Sequence, residues 1–387
     1  MSNFILHISD TNIENDSRIL KEMRSLKSFS HEHGLKLYGV GLEEPDPKKS
    51  RSSQNQDLNL FTCKRGLSRL FSKIKSVKHA VTFFELFFFS LKYSLRMRPK
   101  IIHCHDALVL PIGLVIKVIC GAKLIYDAHE LESNKNLQSS TNSLVTKFIE
   151  AMSWRHIDLF ISVSPSINKW YVEKFGDKKN IVILNAPEFS TQVEESRVSF
   201  GIRHKFGISN SEKIFVYLGI FSSGRGIPRA LKVFARNDID SHILFVGWGA
   251  YDKLIEGYSS KNINIHIHQP VDHQDVVPLV SECDFGLCMI ENISLSDYLC
   301  LPNKLFECCF AGLPVLASDF PELSRVIQEH EIGETCGESE ADMVAAVLAL
   351  SNTEKDFRFR DIESLGWQTQ SNRLVEAYIE ILEEEHS

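Results

Sequence analysis

The residues best suited to bind a phosphorylated ligand lie between Pro302 and Glu307. Apolar residues recur at helical spacing from Leu305 to Phe310, which predicts a helix that begins near Pro302. The first backbone amides of a helix bind phosphate, and Lys304 adds a formal charge there. Glu307 follows one turn later and suits hydrogen bonds from a ribose. The alternative is an ordinary amphipathic helix with a solvated Glu307, which periodicity alone favours.

A second candidate phosphate site is a glycine-rich turn after an apolar strand at 213–218. Gly219 begins the turn, and Arg225 stands between two further glycines. Glycine lets the backbone approach a ligand closely, and arginine can donate two hydrogen bonds to one phosphate. A Gly-Trp-Gly turn beginning at Gly247 follows the next strand in the same way. A glycine-rich turn alone is weak evidence for a phosphate site. The combination of this turn and its arginine with the later Pro302 segment is strong evidence.

Two consecutive strands of the N-terminal half end in histidines and acids. These residues are His103, His105, Asp106, Asp127, His129 and Glu130. Ligands of open α/β sheets bind at the carboxyl ends of the strands, so we expect a binding site there. His103 lies deeper in its strand than His105 and is expected in the core. Histidines also cluster in metal sites, but this spacing completes no ligand set, and we expect no bound metal.

The first strand-to-helix junction carries Asp16 and Arg18. The glycine fingerprint of dinucleotide-binding proteins is absent, so we do not predict dinucleotide binding. One interpretation has both residues facing a ligand. The other has Asp16 as the N-cap of the helix and Arg18 on the surface. The sequence leaves these two interpretations open.

The segments PNKLFE at 302–307 and AGLPVLAS at 311–318 resemble the donor-site signature of the family 4 glycosyltransferases, which are retaining enzymes of the GT-B fold. In that family a Glu-x7-Glu pair brackets the start of the helix. The second acid holds the ribose and the first touches the donor sugar. Glu307 matches the second position, whereas the first is Leu299, with Asp297 nearby but out of register. This departure weakens the assignment of a sugar-contacting acid more than it weakens the resemblance to the family.

Further segments with the same resemblance are DSRIL at 16–20, IIHCHDALVLPIGL at 101–114, LIYDAHEL at 124–131, ILNAPE at 183–188 and YLGIFSSGRGI at 217–227. The resemblance implies that Arg225 holds the donor diphosphate. Many relatives carry a second arginine where this chain has Ile220, and Lys304 is expected to compensate. We assign donor binding to Gly219, Arg225, Gly247, Pro302, Asn303, Lys304 and Glu307. We assign the acceptor side to Asp16, Arg18, Asp106, His129 and Glu130, and catalysis to His105, Arg225 and Lys304, with His105 at the donor sugar.

The composition places these residues in a protein of two domains. A chain of 387 residues, 43% of them apolar, suits two cores of middle size. The net charge of -7 argues against nucleic acid as a partner. Nine cysteines without CxxC spacing suit free thiols in a reducing cytoplasm. The chain enters its first strand without a charged leader, and no segment is long enough to span a bilayer.

One basic segment contrasts with this acidic chain. Its cations are Lys64, Arg65, Arg69, Lys73, Lys75 and Lys78. Arranged on a helix, the apolar residues between them would form a stripe, as in helices that bind anionic membrane surfaces. The alternative is a core helix with a solvated basic face. We expect membrane contact here, and therefore a cytoplasmic protein peripherally associated with the inner face of the membrane.

Alternating strands and helices predict an α/β protein with parallel sheets. The resemblance implies a GT-B fold, with Rossmann-like domains over 1–188 and 189–365 and a C-terminal helix over 366–387 that packs back on the first domain. It implies transfer of a sugar from a nucleoside-diphosphate sugar to a hydroxyl of a glycan or lipid-linked acceptor, without a cofactor or metal. Two alternatives remain open, a GT-B nucleotide-sugar epimerase and a non-catalytic subunit of a glycan-assembly complex.

Overall fold

The structure is a computed structural model that describes residues 4–44, 46, 55–68, 74–136, 138–189, 199–353 and 356–383. The chain divides into two compact units. The first consists of Met1–Ile183 with Gln370–Ser387, and the second of Leu184–Thr369. Both divisions fall within a few residues of the predicted domain boundaries.

The first unit is built on seven strands, β1 Phe4–Asn12, β2 Lys36–Leu42, β3 Asn59–Cys63, β4 Ile101–His105, β5 Lys123–Ala128, β6 Leu159–Ser162 and β7 Asn180–Val182. Its first five helices are α1 Ser17–Glu32, α2 Lys75–Met97, α3 Leu110–Cys120, α4 Ser140–Trp154 and α5 Pro165–Phe175. The strands form one parallel sheet in the order β3-β2-β1-β4-β5-β6-β7. Its central strands are buried along their length, as in sheets that carry helices on both faces.

The second unit contains β8 Ile214–Phe221, β9 His242–Gly249, β10 Ile265–His268, β11 Phe285–Cys288, β12 Val315–Ser318 and β13 Gly333–Cys336. Its helices are α6 Ile202–Phe206, α7 Ile227–Phe234, α8 Asp252–Ser259, α9 His273–Val280, α10 Leu295–Tyr298, α11 Asn303–Phe310, α12 Pro321–His330 and α13 Glu340–Ser351. The sheet is parallel, in the order β10-β9-β8-β11-β12-β13. The last helix, α14 Trp367–Glu383, begins in this unit and continues in the first.

The alternation of side chains along β4 separates the helices of the first unit into two layers. His103 points to one face, where its Nδ1 lies 2.7 Å from the hydroxyl of Tyr378 in α14. Cys104 points to the other face, where Gly113 of α3 packs so closely that an added Cβ would collide with the sulfur. Consecutive residues of a strand face opposite sides of the sheet. Helix α14 therefore covers one face, and α3 covers the other.

In both sheets the strand order reverses once, beside the first strand of the unit. The reversal lies between β1 and β4 in the first sheet and between β8 and β11 in the second. Ligands of such sheets bind outside the carboxyl ends of the strands at this point. We therefore expect ligand-binding residues in the turns that follow β1, β4, β8 and β11.

The structure differs from the sequence-based predictions mainly between β2 and α2. The sequence predicts a basic helix over 63–78. In the structure Cys63 ends β3, residues 64–68 are not α-helical, and α2 begins at Lys75. Arg69 and Lys73 lie outside the described residues. Strand β3 itself was not predicted, because its five residues follow a long polar stretch.

No helix in the described part of the chain has both the length and the apolar character needed to cross a membrane.

Candidate functional site

Two glycines stand side by side at the carboxyl ends of β8 and β9. Gly219 is paired in register with Gly247, and their φ angles are 111° and 150°. A Cβ atom on Gly247 would collide with the carbonyl oxygen of Gly219, whereas the space next to Gly219 is open. Only glycine therefore fits at position 247, and a ligand can approach the backbone at position 219.

Arg225 lies in the turn between β8 and α7, which two glycines with positive φ angles shape. Its side chain is 35% exposed, and Nη1 lies 3.5 Å from Oδ1 of Asp297. Asp297 is buried and also accepts a hydrogen bond of 2.7 Å from the hydroxyl of Ser294. The carboxylate thus fixes one side of the guanidinium, and the exposed side can bind an anion. Sequence reasoning noted Asp297 only as a displaced substitute for Leu299.

Lys304 is the second residue of α11, in its first turn and two positions after the N-cap residue Pro302. The sequence predicts Pro302 inside this turn, and the structure places it one position earlier. No side chain caps the helix end. The Lys304 ammonium is 3.9 Å from the ring centre of Tyr217, and among the described residues it has no hydrogen-bond partner although Nζ is buried. A desolvated ammonium without a partner is costly and suits an anionic ligand.

The positive charges of Arg225 and Lys304 act on the same buried thiol. Burial raises the pKa of Cys288 to about 11, and both cations oppose this rise. Both also lower the pKa of Cys300 against the effect of burial. Glu307 acts on Cys288 in the opposite sense. The two predicted diphosphate-binding cations and the predicted ribose-binding acid therefore all lie close enough to Cys288 to influence its pKa.

Two large apolar side chains are exposed beside the glycine pair. Ile220 and Trp248 are partners in register and are 57% and 59% exposed. Sequence reasoning treated Ile220 only as the position of a missing arginine and did not consider Trp248. An indole beside an open stretch of backbone is suited to packing against a ring of the ligand.

A cavity of about 350 Å³ lies next to the Arg225 turn and is lined by Arg229, Glu291, Asn292, Ile293 and Glu338. The backbone N–H of Glu291 donates to the carbonyl of Gly224 at 2.9 Å, which joins the cavity to the turn. Arg229 donates to the carbonyl of Gly337 at 3.1 Å. Sequence reasoning missed this arginine, although its position one helical turn after Arg225 was a usable signal.

In the first unit, strand register brings the polar residues into two rows. His7 of β1 pairs with His103 of β4. One row nearer the carboxyl ends, Ser9 pairs with His105, and His105 pairs with Asp127. The rings of His7, His103 and His105 stack with centroids 4.3–5.2 Å apart. This buried cluster lies beneath the ends of β1, β4 and β5.

Arg18 is buried and holds Asp127. Its Nε and Nη2 donate to the two carboxylate oxygens at 3.0 and 2.8 Å, and Nη1 donates to the carbonyl of Ile183 at 3.0 Å. Burial alone would raise the pKa of Asp127, but Arg18 and His129 hold it well below its usual value. The prediction that Arg18 contacts the acceptor is therefore wrong, because its donors are engaged inside the unit. The alternative of a surface arginine is wrong as well.

Asp16 caps α1, as one interpretation of the sequence predicts. Its Oδ1 accepts from the backbone N–H of Ile19 at 3.3 Å, and its Oδ2 accepts from the hydroxyl of Thr11 at 3.1 Å. An acceptor-side role of Asp16 stays a prediction.

His105 is fully buried. Its Nε2 lies 2.9 Å from Nδ1 of His7, and its Nδ1 lies 3.3 Å from Asp127 and 3.2 Å from His129. Burial lowers its pKa, so the ring is neutral at pH 7. The sequence assigns His105 to direct contact with the donor sugar. The structure instead places it below the surface, where it connects the histidine stack to the groups nearer the solvent.

His129 is the histidine of this cluster that reaches the surface, with 16% of its side chain exposed. Its Nε2 lies 3.0 Å from Asp127, and its Nδ1 lies 3.7 Å from Asp106. Burial would lower the pKa of His129, but these two carboxylates raise it to about 10. The ring is therefore a cation at neutral pH. Asp106 has a φ of 67°, unusual for a residue other than glycine, and Glu130 is exposed beside the pair.

Below these groups, several buried polar atoms have no hydrogen-bond partner among the described residues. They are Nε2 of His7, Nε2 of His103 and both carboxylate oxygens of Glu22. Glu22 forms an ion pair of 3.0 Å with Nε of Arg18, and burial, followed by Asp127, raises its pKa to about 8. Glu22 was missed, although a charged residue in the apolar stripe of a predicted helix indicates a buried site.

Two groups of side chains in this cluster are close enough to hold a metal ion. One consists of His7, Glu22, His103 and His105, and the other of His105, Asp127 and His129. Neither group fits a divalent cation well, because positive charges already occupy both. The Arg18 guanidinium contacts Glu22 and Asp127, and His129 is itself protonated. We therefore retain the prediction that no metal is bound.

Two units with parallel sheets, each with polar side chains at the reversal of its strand order, define a protein of the GT-B class. Residues 199–360 match the model of a family described as Glycosyl transferases group 1. This match spans most of the second unit and includes its glycine-rich turn and the PNKLFE segment.

Curated relatives of the chain include mannosyltransferases and two kinds of synthase. Chitobiosyldiphosphodolichol beta-mannosyltransferase of Kluyveromyces lactis is 23% identical over 258 residues, which cover 58% of this chain and 57% of that protein. N-acetyl-alpha-D-glucosaminyl L-malate synthase of Bacillus anthracis is 24% identical over 187 residues, 46% of this chain and 47% of that protein. The chain therefore matches only about half the length of these two relatives.

Solved structures confirm the predicted GT-B fold over almost the whole chain. Sucrose-phosphate synthase of Thermosynechococcus elongatus superposes with a TM-score of 0.75 at 14% identity, covering 99% of this chain and 100% of that one. HepE of Anabaena, solved in complex with UDP-glucose, gives a TM-score of 0.72 at 13% identity, covering 97% and 99%. At such identities the likeness establishes the fold alone.

Proposed function

We propose that this protein is a glycosyltransferase that moves a sugar from a nucleoside-diphosphate sugar to a hydroxyl group of an acceptor. The observation that carries the proposal is the pairing of two cations at the strand ends of the second unit. Arg225 is held by Asp297, Lys304 lacks a hydrogen-bond partner among the described residues, and both act on Cys288. Together with the open backbone at Gly219, they suit a ligand with two linked phosphates.

The reaction follows from the chemistry of the leaving group. When the glycosidic bond to the phosphate breaks, negative charge develops on the departing nucleoside diphosphate. Positioned cations and helix amides stabilise such charge, and this is often the largest contribution to catalysis. Arg225, Lys304 and the amides at the start of α11 would have this role, with Asn303 beside Lys304 in the same turn. Glu307 would hold the ribose, and Pro302 and Gly247 would shape the pocket.

We propose further that the transfer retains the configuration of the donor sugar. We expect no carboxylate nucleophile at the donor sugar, because among the described residues Asp297 is buried against Arg225 and position 299 is a leucine. A front-face reaction needs no such nucleophile, since the leaving phosphate itself accepts the proton of the incoming hydroxyl. Measurement of the anomeric configuration of the product by NMR tests this point.

For the acceptor we propose a glycan or a lipid-linked sugar of a bacterial surface polysaccharide or glycolipid. The acceptor side would be the exposed part of the first unit's cluster, namely Asp106, His129 and Glu130, whose charged groups suit hydrogen bonds from sugar hydroxyls. The name of the Kluyveromyces relative describes an acceptor linked to dolichol diphosphate. A lipid-linked acceptor also gives a reason for a cytoplasmic protein to work at the inner face of a membrane.

Mass spectrometry of the purified protein with a panel of nucleotide sugars tests the proposal. Slow hydrolysis of one donor, and transfer to an acceptor extract, are the expected results. A change of the sugar without any acceptor would instead identify an epimerase. Failure to bind or hydrolyse every donor would favour a non-catalytic subunit. Calorimetry with free nucleoside diphosphates separates weak binding from slow chemistry.

A further inference from the structure

An exposed apolar surface lies on three helices of the first unit, far in sequence from the predicted phosphate-binding residues. Its exposed side chains are Phe84, Phe88 and Leu95 of α2, Val115, Val118 and Ile119 of α3, and Leu144, Val145, Phe148 and Met152 of α4. We call this surface the apolar helix face. Several of its members are more than half exposed, including Phe88 at 63%, Phe148 at 66% and Val118 at 83%.

The members of each set lie on one side of their helix. Phe84, Phe88 and Leu95 are four and seven residues apart, as are residues along one stripe. Helix α3 packs between α2 and α4 on one face of the sheet. The buried side of α3 contacts the sheet through Gly113, so its exposed stripe points away from the sheet. The three stripes thus form one layer on the outside of the unit.

The exposed charged side chains on these three helices are basic. The three helices contain two acids, and neither is free on the surface. Glu150 is buried and accepts a hydrogen bond from Tyr126, and Glu85 accepts from the backbone N–H of Leu67. Four exposed cations lie on or directly after these helices, and we call them the basic rim: Lys92 and Arg96 in α2, Arg98 after α2, and Arg155 after α4. A basic rim is unusual in a chain whose net charge is -7.

We infer that the apolar helix face binds the surface of an anionic lipid bilayer. Aromatic and aliphatic side chains enter the boundary between headgroups and acyl chains, and surrounding lysines and arginines contact anionic headgroups. A second copy of the chain fits less well, because a symmetric contact would bring two basic rims together. The inferred membrane contact thus lies on α2, α3 and α4 and not on the predicted segment 64–78, of which residues 64–68 are not α-helical.

This inference rests on the proposed function only for its biological purpose, since a lipid-linked acceptor lies at such a surface. The binding itself needs no catalysis. A protein that binds vesicles but transfers no sugar would overturn the proposed function and leave the apolar helix face intact. A protein that transfers sugar to a soluble acceptor but ignores vesicles would do the reverse.

The test is flotation of the full chain with vesicles of phosphatidylcholine alone or mixed with phosphatidylglycerol. We expect recovery with the mixed vesicles alone, and less recovery as salt rises. In the variant Phe88→Ser with Val118→Ser and Phe148→Ser, recovery should fall about tenfold. The variant Lys92→Glu with Arg96→Glu should lose binding to a similar degree. All five side chains are exposed, so thermal denaturation should remain close to wild type.

Two control variants change other surfaces that could bind the membrane. Ile263→Ser removes an apolar side chain that is 90% exposed on the second unit, and it should bind as the wild type does. Lys64→Glu with Arg65→Glu changes the segment for which the sequence predicts membrane contact, and this second control should also bind as the wild type does. Full binding by the triple serine variant, or equal recovery with neutral vesicles, would overturn the inference. So would sedimentation showing a wild-type dimer that the triple variant cannot form.

Discussion

Arg225 and Lys304 are the residues on which turnover should depend most. Arg225→Ala removes a cation whose position is fixed by Asp297, and loss of such a contact raises the barrier by about 2.7–4 kcal/mol. We therefore expect kcat with saturating donor to fall about 10²–10³-fold, with little change in the melting temperature. The control is Arg236→Ala in the same unit, an exposed arginine paired with Asp238, which should be neutral. Near-wild-type turnover by Arg225→Ala would remove this residue from the site.

His129 gives a prediction about pH and stability. Its pKa is raised from 6.5 to about 10 in the folded protein by Asp106 and Asp127, against the effect of burial. A raised pKa stabilises the fold fully below the unfolded value of 6.5, and the stabilisation is lost as the pH rises toward 10. His129→Gln should therefore lower the melting temperature more at pH 6 than at pH 10.

The comparison is made by calorimetry of both proteins across this range. His156→Gln, at an exposed position in the same unit, is the matched control and should show no such trend. An NMR titration gives an independent readout, because the His129 imidazole should remain protonated at pH 8. A penalty that is constant from pH 6 to pH 10 would show that the carboxylates do not shift this group.

Among the structural elements, the close approach of β8 and β9 is the least tolerant of change. Gly247→Ala places a methyl group against the carbonyl oxygen of Gly219, at a φ of 150°. We expect a loss of about 1–3 kcal/mol in stability and weaker binding of free nucleoside diphosphate. Gly257→Ala is the control, because α8 has open space there and an alanine favours the helix. Unchanged nucleotide affinity in Gly247→Ala, measured by calorimetry, would separate this turn from the donor site.

The element order was predictable from the sequence because strands buried on both faces read as short apolar runs between helical patterns. The turn at Gly219 and the start of α11 were predictable for a related reason. Glycine permits backbone conformations that other residues avoid, proline fixes its φ near the helical value, and a following apolar stripe indicates a helix. The helix predicted after Cys63 was wrong. The positive charges there fit a helical stripe, but residues 64–68 are not α-helical.

The cluster of the first unit could be predicted only in part, because its contacts depend on strand register. His105 and Asp127 could be placed at strand ends by counting residues. The pairing of His7 with His103 and the contact of Glu22 with Arg18 join distant parts of the chain. The pattern along one strand shows which side chains share a face, but it does not show which residue of a distant strand becomes the partner. The burial of His105 and Arg18 was missed for the same reason.

For the molecule as a whole, charge is distributed by function. The chain carries an excess of acids, yet the proposed ligand-binding places contain cations, namely Arg225, Lys304 and the basic rim of the apolar helix face. The acids of the first unit's cluster are balanced internally by Arg18 and His129. Positive charge is therefore left unbalanced where anionic ligands are proposed. In the buried cluster of the first unit, positive and negative charges neutralise each other.

This distribution predicts a reaction that is independent of metal ions. Arg225 and Lys304 are proposed to bind the diphosphate without a metal ion. In the first unit, the two groups of side chains that are close enough to hold a metal ion contact Arg18 or contain protonated His129. Dialysis against a chelator should therefore leave sugar transfer unchanged, with less than one equivalent of metal by mass spectrometry. The matched test is His7→Gln, which removes one donor of the histidine group and should not alter the metal content. Lost activity that Mg²⁺ or Mn²⁺ restores would place a metal at the donor site. Bound Zn²⁺ that disappears in His7→Gln would place it in the histidine cluster, since imidazole nitrogens favour that ion.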